Sequence, residues 1–297
     1  MAPRHHAAVL GSPIGHSLSP VLHQAAYRFL GLDGWEYGKA EVDEERLDAF
    51  LQHLNGQWVG LSLTMPLKRS IIPYGTPRNL WARELGVANT AVFDWRHEGS
   101  GTSLYNTDVY GIARAFEQCG AVEGTGLHGL ILGNGNTAAS AMAAYASLGC
   151  VDMVSVVARH PDRNPQLSLL GRRHGLAVDV IPLENAPEAC AHADLAVNTI
   201  PAGGADQTAA RLRRLGMHVH GTLLDVVYDP RPTPLMQAWR AQGGTAIGGE
   251  WMLLYQAVAQ VMLMTGRAQG PHYDTHGNDP RDHALEEAMA QALKEAL

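Results

Sequence analysis

A chain of 297 residues is longer than one ordinary hydrophobic core supports and suits two domains. Hydrophobic residues make up 46% and charged residues 17%, which excludes a largely disordered chain. The net charge of −7, from 22 Lys and Arg against 29 Asp and Glu, leaves no basic field for nucleic acid or an anionic membrane, so an anionic ligand must be held by a local site.

In chain order, Ala7 to Leu10 predicts a short buried strand, too short for a signal-peptide core, followed by the loop GSPIGHSLSP. Apolar residues at Leu22, Ala25, Ala26, Phe29 and Leu30 then recur at helical spacing, with Ser19 suited to the N-cap, Pro20 to the first helical position and Gly31 to the C-terminal cap. A strand near Tyr37 to Val42, a helix over Glu44 to Leu54 and a strand from Trp58 to Leu63 continue the alternation, so the first domain is expected to be α/β with a mainly parallel sheet. The last strand runs into TMPLK, where Pro66 stops the ladder before Lys68. Asn89-Thr90 and Asn106-Thr107-Asp108 end short apolar segments and, taken alone, are ordinary turn formers.

From about Val109 the pattern becomes a helix to Cys119, a strand entering LGNGNTAA, a helix ending at Gly149, and the strand VDMVSVVA. Further strands are predicted at Val178 to Ile181, Leu195 to Thr199 and Gly221 to Val227, which makes a second βα array. A long apolar helix from Trp251 to Thr265 is expected to pack back on the first domain, and Gln256 and Gln260 interrupt it short of a membrane span. The stretch from Gly270 to Pro280 is polar and turn-rich, and Ala284 to Leu297 is an amphipathic helix.

Gly133-Asn134-Gly135-Asn136-Thr137-Ala138 fits G-x-G-x-x-[GA] between a strand and a helix, where that fingerprint cradles a dinucleotide pyrophosphate. Gly133 would make the tight turn, Gly135 would admit the backbone to the phosphates, and Ala138 would allow close helix packing. The bland alternative is a simple glycine turn. After VVA come Arg159 and Arg163 where an NAD site usually carries an acidic residue; two guanidiniums favour a 2′-phosphate and hence NADP, unless they are only solvated surface charges. Ser17 and Ser19 flank a helix start, where hydroxyls and free N–H groups suit a carboxylate.

The ordered set GSPIGHSLSP, LTMPLK, ANTAV, YNTD, LGNGNTA, VVAR, NTIP, DVVYDPRPTPL and MLLYQA resembles the shikimate dehydrogenase family over nearly the whole length. The resemblance implies an N-terminal α/β substrate domain, formed by residues 1–108 plus 247–297, and a Rossmann-like NADP-binding domain over 109–246, with the active site in the cleft between them. It implies Lys68 and Asp108 as the catalytic pair. Ser17 and Ser19 match the serines that hold the substrate carboxylate, assisted by Tyr228, while Thr64, Asn89, Asp108 and Gln256 match residues that bind ring hydroxyls. Gly133, Asn134, Gly135, Asn136 and Thr137 form the phosphate turn, Arg159 and Arg163 the 2′-phosphate clamp, and Gly249 and Met252 line the nicotinamide end. The chain departs from the family pattern at Ser62, Asn136-Thr137 and Ala158, where the family usually has Asn, Gly-Ala and Asn.

The implied reaction is reversible NADPH-dependent reduction of 3-dehydroshikimate to shikimate, on the route to chorismate and the aromatic amino acids. A lysine is protonated at neutral pH and suits proton delivery to a developing alkoxide; the reverse reaction asks Lys68 to act as a base, which favours alkaline conditions. A quinate/shikimate dehydrogenase of broader specificity, or a regulatory relative that binds shikimate without turnover, are the alternatives, and the presence of both Lys68 and Asp108 speaks against the second. The only partners expected are small molecules, with the chain a monomer or homodimer. Cys119, Cys150 and Cys190 lack paired spacing and suit a reducing cytoplasm, and the 15 histidines, including His5-His6, His218, His220, His272 and His276, show no convergent metal-ligand pattern.

Overall fold

The structure of the protein is a computed structural model that describes residues 5–94, 101–227, 231–267 and 280–297. The chain runs β1 (His5–Gly11), α1 (Ser19–Phe29), β2 (Trp35–Glu41), α2 (Glu44–Gln52), β3 (Trp58–Leu63), α3 (Leu67–Ser70), β4 (Thr76–Pro77), α4 (Leu80–Leu85), β5 (Thr90–Phe93), β6 (Thr102–Tyr105) and α5 (Asp108–Gln118). It continues with β7 (Leu127–Leu132), α6 (Asn136–Leu148), β8 (Val151–Ala158), α7 (Pro165–Arg173), β9 (Ala177–Pro182), α8 (Ala186–His192), β10 (Leu195–Asn198), α9 (Asp206–Leu215), β11 (Thr222–Asp225), α10 (Pro234–Ala241), β12 (Thr245–Gly248), α11 (Gly249–Met264) and α12 (Pro280–Ala296). Two compact units result, Met1–Tyr110 with Leu253–Leu297, and Gly111–Met252.

The first unit holds a six-stranded sheet in the order β2-β1-β3-β5-β6-β4. β1 pairs in parallel with β2 and β3, so the βαβ crossovers through α1 and α2 read as expected from the alternation. β5 then runs antiparallel to both β3 and β6, and β4 parallel to β6. The parallel character of the sheet is thus broken at β5. These four-residue strands carry too few side chains to show a period of two, which is why the segment before Asn106 reads only as a short apolar run. The core beneath is built from Leu10, Leu61, Leu63, Leu67, Ile71 and Leu104. α12 packs on α1 and buries Leu285, Met289 and Leu293, spaced i, i+4, i+8 on one helix face.

Side chains cap α2, α4 and α10, and the other helices with a described N-cap residue start without one. Asp43 caps α2 by accepting from Arg46 N at 3.0 Å, and Asn79 caps α4 by accepting from Ala82 N at 3.2 Å. At α1, however, Leu18 and not Ser19 is the N-cap residue, and no side chain caps the helix. Ser17 Oγ instead accepts from Ser19 N at 3.4 Å, the short-range bond typical of serine turns. This corrects the expectation that Ser19 is the N-cap residue.

The second unit is a wholly parallel sheet in the order β12-β11-β10-β7-β8-β9. Strand order reverses beside β7, the topological switch point at which open α/β sheets bind ligands. Its core includes Trp239, fully buried, whose indole N–H donates to Gly221 O at 2.8 Å. Burying such a ring contributes about 2 to 3 kcal/mol. β12 is not legible in the sequence, again a four-residue strand between glycines. Tyr228 and the stretch from Gly270 to residue 279 lie outside the described residues.

Candidate active site

Four elements of the first unit aim polar side chains at one another. Lys68 is the second residue of α3, and its backbone oxygen accepts from Ala88 N at 2.8 Å, which ties the lysine to the segment that carries Asn89. Its ammonium donates to Asp108 Oδ2 at 2.5 Å, with the lysine side chain 29% exposed and the aspartate 9%. Asp108 is the first residue of α5, where a carboxylate faces the positive end of the helix dipole. Asn106 fixes that start by accepting from Asp108 N at 3.1 Å and Val109 N at 3.4 Å.

Asn89 Nδ2 donates to the other carboxylate oxygen, Asp108 Oδ1, at 2.9 Å, and lies 3.3 Å from Gln256 Oε1. Asn89 Oδ1 accepts from Thr107 N at 2.8 Å and from Thr90 Oγ1 at 2.9 Å. Thus both oxygens of Asp108 are engaged, one by an ammonium and one by an amide. The ammonium remains partly open to solvent, so it can reach a ligand while the buried aspartate holds it. Thr64 lies one residue beyond β3, where its N–H donates to Leu10 O at 2.9 Å. Ser17 is half-buried and Ser19 buried; among the described residues the Ser19 hydroxyl has no hydrogen-bond partner, which leaves it available to a ligand. The loop that leads to them is held from β2, where Lys39 Nζ donates to Gly15 O at 2.5 Å.

In the second unit the turn after β7 has the geometry that the fingerprint asks for. Gly133 sits at φ +104°, and a Cβ there would come within 2.5 Å of Thr199 Oγ1, so only glycine fits. Gly135 is the N-cap residue of α6 and provides no side-chain cap, and a Cβ there would meet nothing within 4 Å. No side chain caps the start of α6, and the space beside Gly135 is open, a combination that suits an anion at a helix N-terminus. Asn136 and Thr137 open the helix, and Ala138 is fully buried beneath it.

Asn134 Nδ2 donates to His160 O at 2.8 Å, and Asn164 Nδ2 donates back to Asn134 O at 3.0 Å. The phosphate turn and the segment carrying Arg159 and Arg163 are thereby laced together. Both arginines are exposed, and among the described residues neither has a carboxylate partner. Gly249 opens α11, and a Cβ on it would lie 2.4 Å from Val226 O; Met252 is half-buried one turn on.

Several buried polar residues around these positions drew no attention in the sequence. Asn79 donates to Asn106 O at 2.8 Å and accepts from Asn106 N at 3.1 Å, so two helix caps brace each other. Asp225 at the end of β11 is fully buried and accepts from Asn198, Val227 and Thr233. Burial raises its pKa above the ordinary carboxylate value, and those three hydrogen bonds oppose the rise. Burial also pushes Cys190 up to about 12 and raises Cys119 and Cys150, which makes the three thiols poor nucleophiles. Among the described residues no cluster of His, Cys, Asp and Glu could hold a metal ion, and no helix is long and apolar enough to cross a membrane.

Residues 9–91 match the family model described as the shikimate dehydrogenase substrate binding domain. The chain is 32% identical to the shikimate dehydrogenase (NADP(+)) of Methanothermobacter thermautotrophicus over 97% of each chain. Its structure is similar to that of Mycobacterium tuberculosis shikimate dehydrogenase, with 38% identity, a TM-score of 0.81 and coverage of 99% of this chain and 100% of the other. It is also similar to the shikimate 5-dehydrogenase of Thermus thermophilus in complex with NADP(H) and shikimate, with 28% identity, a TM-score of 0.74 and coverage of 97% and 99%. With the motif order, both folds and near-complete coverage in agreement, the chain belongs to the shikimate dehydrogenase family.

Proposed function

We propose that this chain catalyses the reversible NADPH-dependent reduction of 3-dehydroshikimate to shikimate, on the route to chorismate and the aromatic amino acids. The observation that carries the reading is the Lys68–Asp108 pair, part-exposed on the lysine side and held on the other by Asn89, in a chain of this family. The turn at Gly133 and Gly135 fits a pyrophosphate, and Arg159 and Arg163, without carboxylate partners among the described residues, fit a 2′-phosphate, so NADP is the cofactor. NADP(H) supplies or accepts the hydride.

The protein's own work is to bind, orient and move one proton. Ser17 and Ser19 receive the substrate carboxylate, with Tyr228 assisting. Thr64, Asn89, Asp108 and Gln256 hold the ring hydroxyls. Lys68 places its ammonium against the substrate carbonyl oxygen, stabilises the negative charge that develops there, and gives it a proton. In oxidation the same nitrogen takes the hydroxyl proton back. Asp108 keeps the Lys68 side chain aimed, at 2.5 Å, and Asn89 keeps Asp108 aimed in turn. Gly249 and Met252 line the nicotinamide end, with Gly249 allowing the close approach of backbone. The activity belongs to the cytoplasm, where three unpaired cysteines stay reduced.

The test is a steady-state comparison of shikimate and quinate, each with NADP+ and NAD+, reported as kcat/KM. Shikimate with NADP+ should give the highest value. A higher value for quinate, or for NAD+, overturns the assignment of substrate or cofactor respectively.

A further inference from the structure

A chain of buried hydrogen bonds leads away from Asp108 into the interior of the first unit. Gln256 and Gln260 lie one turn apart on the same face of α11, which is apolar apart from them and Glu250 in its first turn. Gln260 is 1% exposed. Its Nε2 donates to Asn89 O at 3.0 Å and to Thr90 Oγ1 at 3.0 Å. Its Oε1 accepts from Ser62 Oγ at 2.7 Å and lies 3.3 Å from His23 Nε2. Tyr37 Oη donates to Ser62 Oγ at 2.6 Å, and the Tyr37 ring stacks on the His23 ring with centroids 3.8 Å apart and 16° between planes.

Counting protons gives this chain one direction. Asn89 O is a carbonyl and only accepts, so the NH2 group of Gln260 must face it and Oε1 must face Ser62 and His23. Ser62 spends its single proton on Gln260, so it must accept from Tyr37. His23 must carry its proton on Nε2, which agrees with Nδ1 being buried without a partner among the described residues and with a ring that burial keeps neutral. Thr90 accepts from Gln260 and therefore donates to Asn89 Oδ1. That leaves the NH2 group of Asn89 to face Asp108, whose ionised carboxylate only accepts. Each amide is oriented by the one behind it, and all members are buried.

We infer that Gln260, through Thr90 and the backbone of Asn89 and backed by Ser62 and His23, is a positioning residue that sets the amide of Asn89 against Asp108 and so aims the Lys68 ammonium. Gln260 touches neither reacting atoms nor Lys68, and its effect passes through a separate pair of hydrogen bonds from that of Gln256. The inference rests on the proposed shikimate dehydrogenase activity. It also explains why an amide rather than an aliphatic side chain stands in the middle of a packed helix face, since Gln260 bonds four buried polar groups.

The experiment measures shikimate oxidation by the full chain and its Gln260→Met, Thr90→Val and Thr90→Ser variants, together with NADP+ affinity and the folded fraction by circular dichroism. Gln260→Met keeps the volume and removes every polar link; Thr90→Val removes one hydroxyl and Thr90→Ser restores it. The first two should lower kcat about 10-fold while fully folded and with NADP+ affinity unchanged, and Thr90→Ser should stay within about threefold of wild type. Should Gln260→Met not fold, the Thr90 pair carries the same comparison. A folded Thr90→Val with kcat within about twofold of wild type overturns the inference. So does a loss that only follows the folded fraction or that appears equally in NADP+ affinity. A wild-type chain that does not oxidise shikimate overturns the proposed function itself, and the inference with it.

Discussion

The ammonium of Lys68 and the carboxylate of Asp108 meet at 2.5 Å although 40 residues separate them, because α3 and α5 both begin where strands of the same sheet end. If this contact aims a proton donor, Lys68→Ala should lower kcat by about 10² to 10⁴ and change the KM for shikimate far less. Asp108→Asn should lower kcat as well and also raise KM, since the proposed function gives the aspartate a second role toward ring hydroxyls. Single-turnover rates would separate the two effects, and an unchanged kcat for Lys68→Ala leaves the lysine a structural residue.

The two serines at the start of α1 should behave differently. The Ser19 hydroxyl has no role in capping, so Ser19→Ala should raise the KM for shikimate while leaving thermal stability and NADP+ affinity as they were. Ser17 also accepts from Ser19 N, so Ser17→Ala should raise KM and lose roughly 0.5 to 1.5 kcal/mol of stability in addition. Thermal melts beside the kinetics decide the matter; equal KM with wild type for both variants removes them from the carboxylate site.

For the cofactor, replacing both Arg159 and Arg163 by alanine should lower kcat/KM with NADP+ by about 10- to 100-fold, the scale of charge-assisted bonds to phosphate, and leave the NAD+ value near its starting point. Both side chains are exposed and without carboxylate partners among the described residues, so stability should not change. A parallel loss with NAD+ would show that the lacing of this segment to the phosphate turn, through Asn134 and Asn164, had been disturbed instead.

His23 makes stability depend on pH. Burial lowers its pKa from 6.5 to about 3, so the folded chain keeps a neutral ring while the unfolded chain takes up a proton below pH 6.5. Its contribution is therefore intact above pH 6.5 and is lost progressively as pH falls from there toward 3. Lowering the pH by two units from that upper limit should cost the wild type roughly 2 to 3 kcal/mol that a His23→Phe variant does not lose. Urea unfolding of both proteins at the two pH values measures the difference; a gap that stays constant contradicts a buried neutral histidine.

Much of this was legible from local rules. Strand and helix alternation, the glycine turn between β7 and α6, and the positions of Lys68, Asn89 and Asp108 at element ends all follow from patterns that span a few residues, because helix period, caps and turns are decided within one or two turns of chain. Where a local rule has two candidates it can choose wrongly, as with Ser17 and Ser19, since the backbone dihedrals at Leu18 and not the residue type decide which serine bonds the helix start. Unlike the equally short β10 and β11, which sit in apolar runs that mark them as strands, β5, β6 and β12 stand out only through their pairing partners.

What only the tertiary structure decided is which polar groups share a proton. Gln260 reaches Thr90 across 170 residues and Ser62 across 198, and no spacing in a sequence encodes such a meeting. By helical period alone Gln256 and Gln260 are no more than two interruptions in an apolar helix. Folding buries both, and a buried amide must find partners for each donor and acceptor. That requirement turns Gln256 toward the Asn89 side chain and Gln260 toward the Asn89 backbone and Thr90, so the direction of the hydrogen bonds behind Asp108 follows from burial and proton count together.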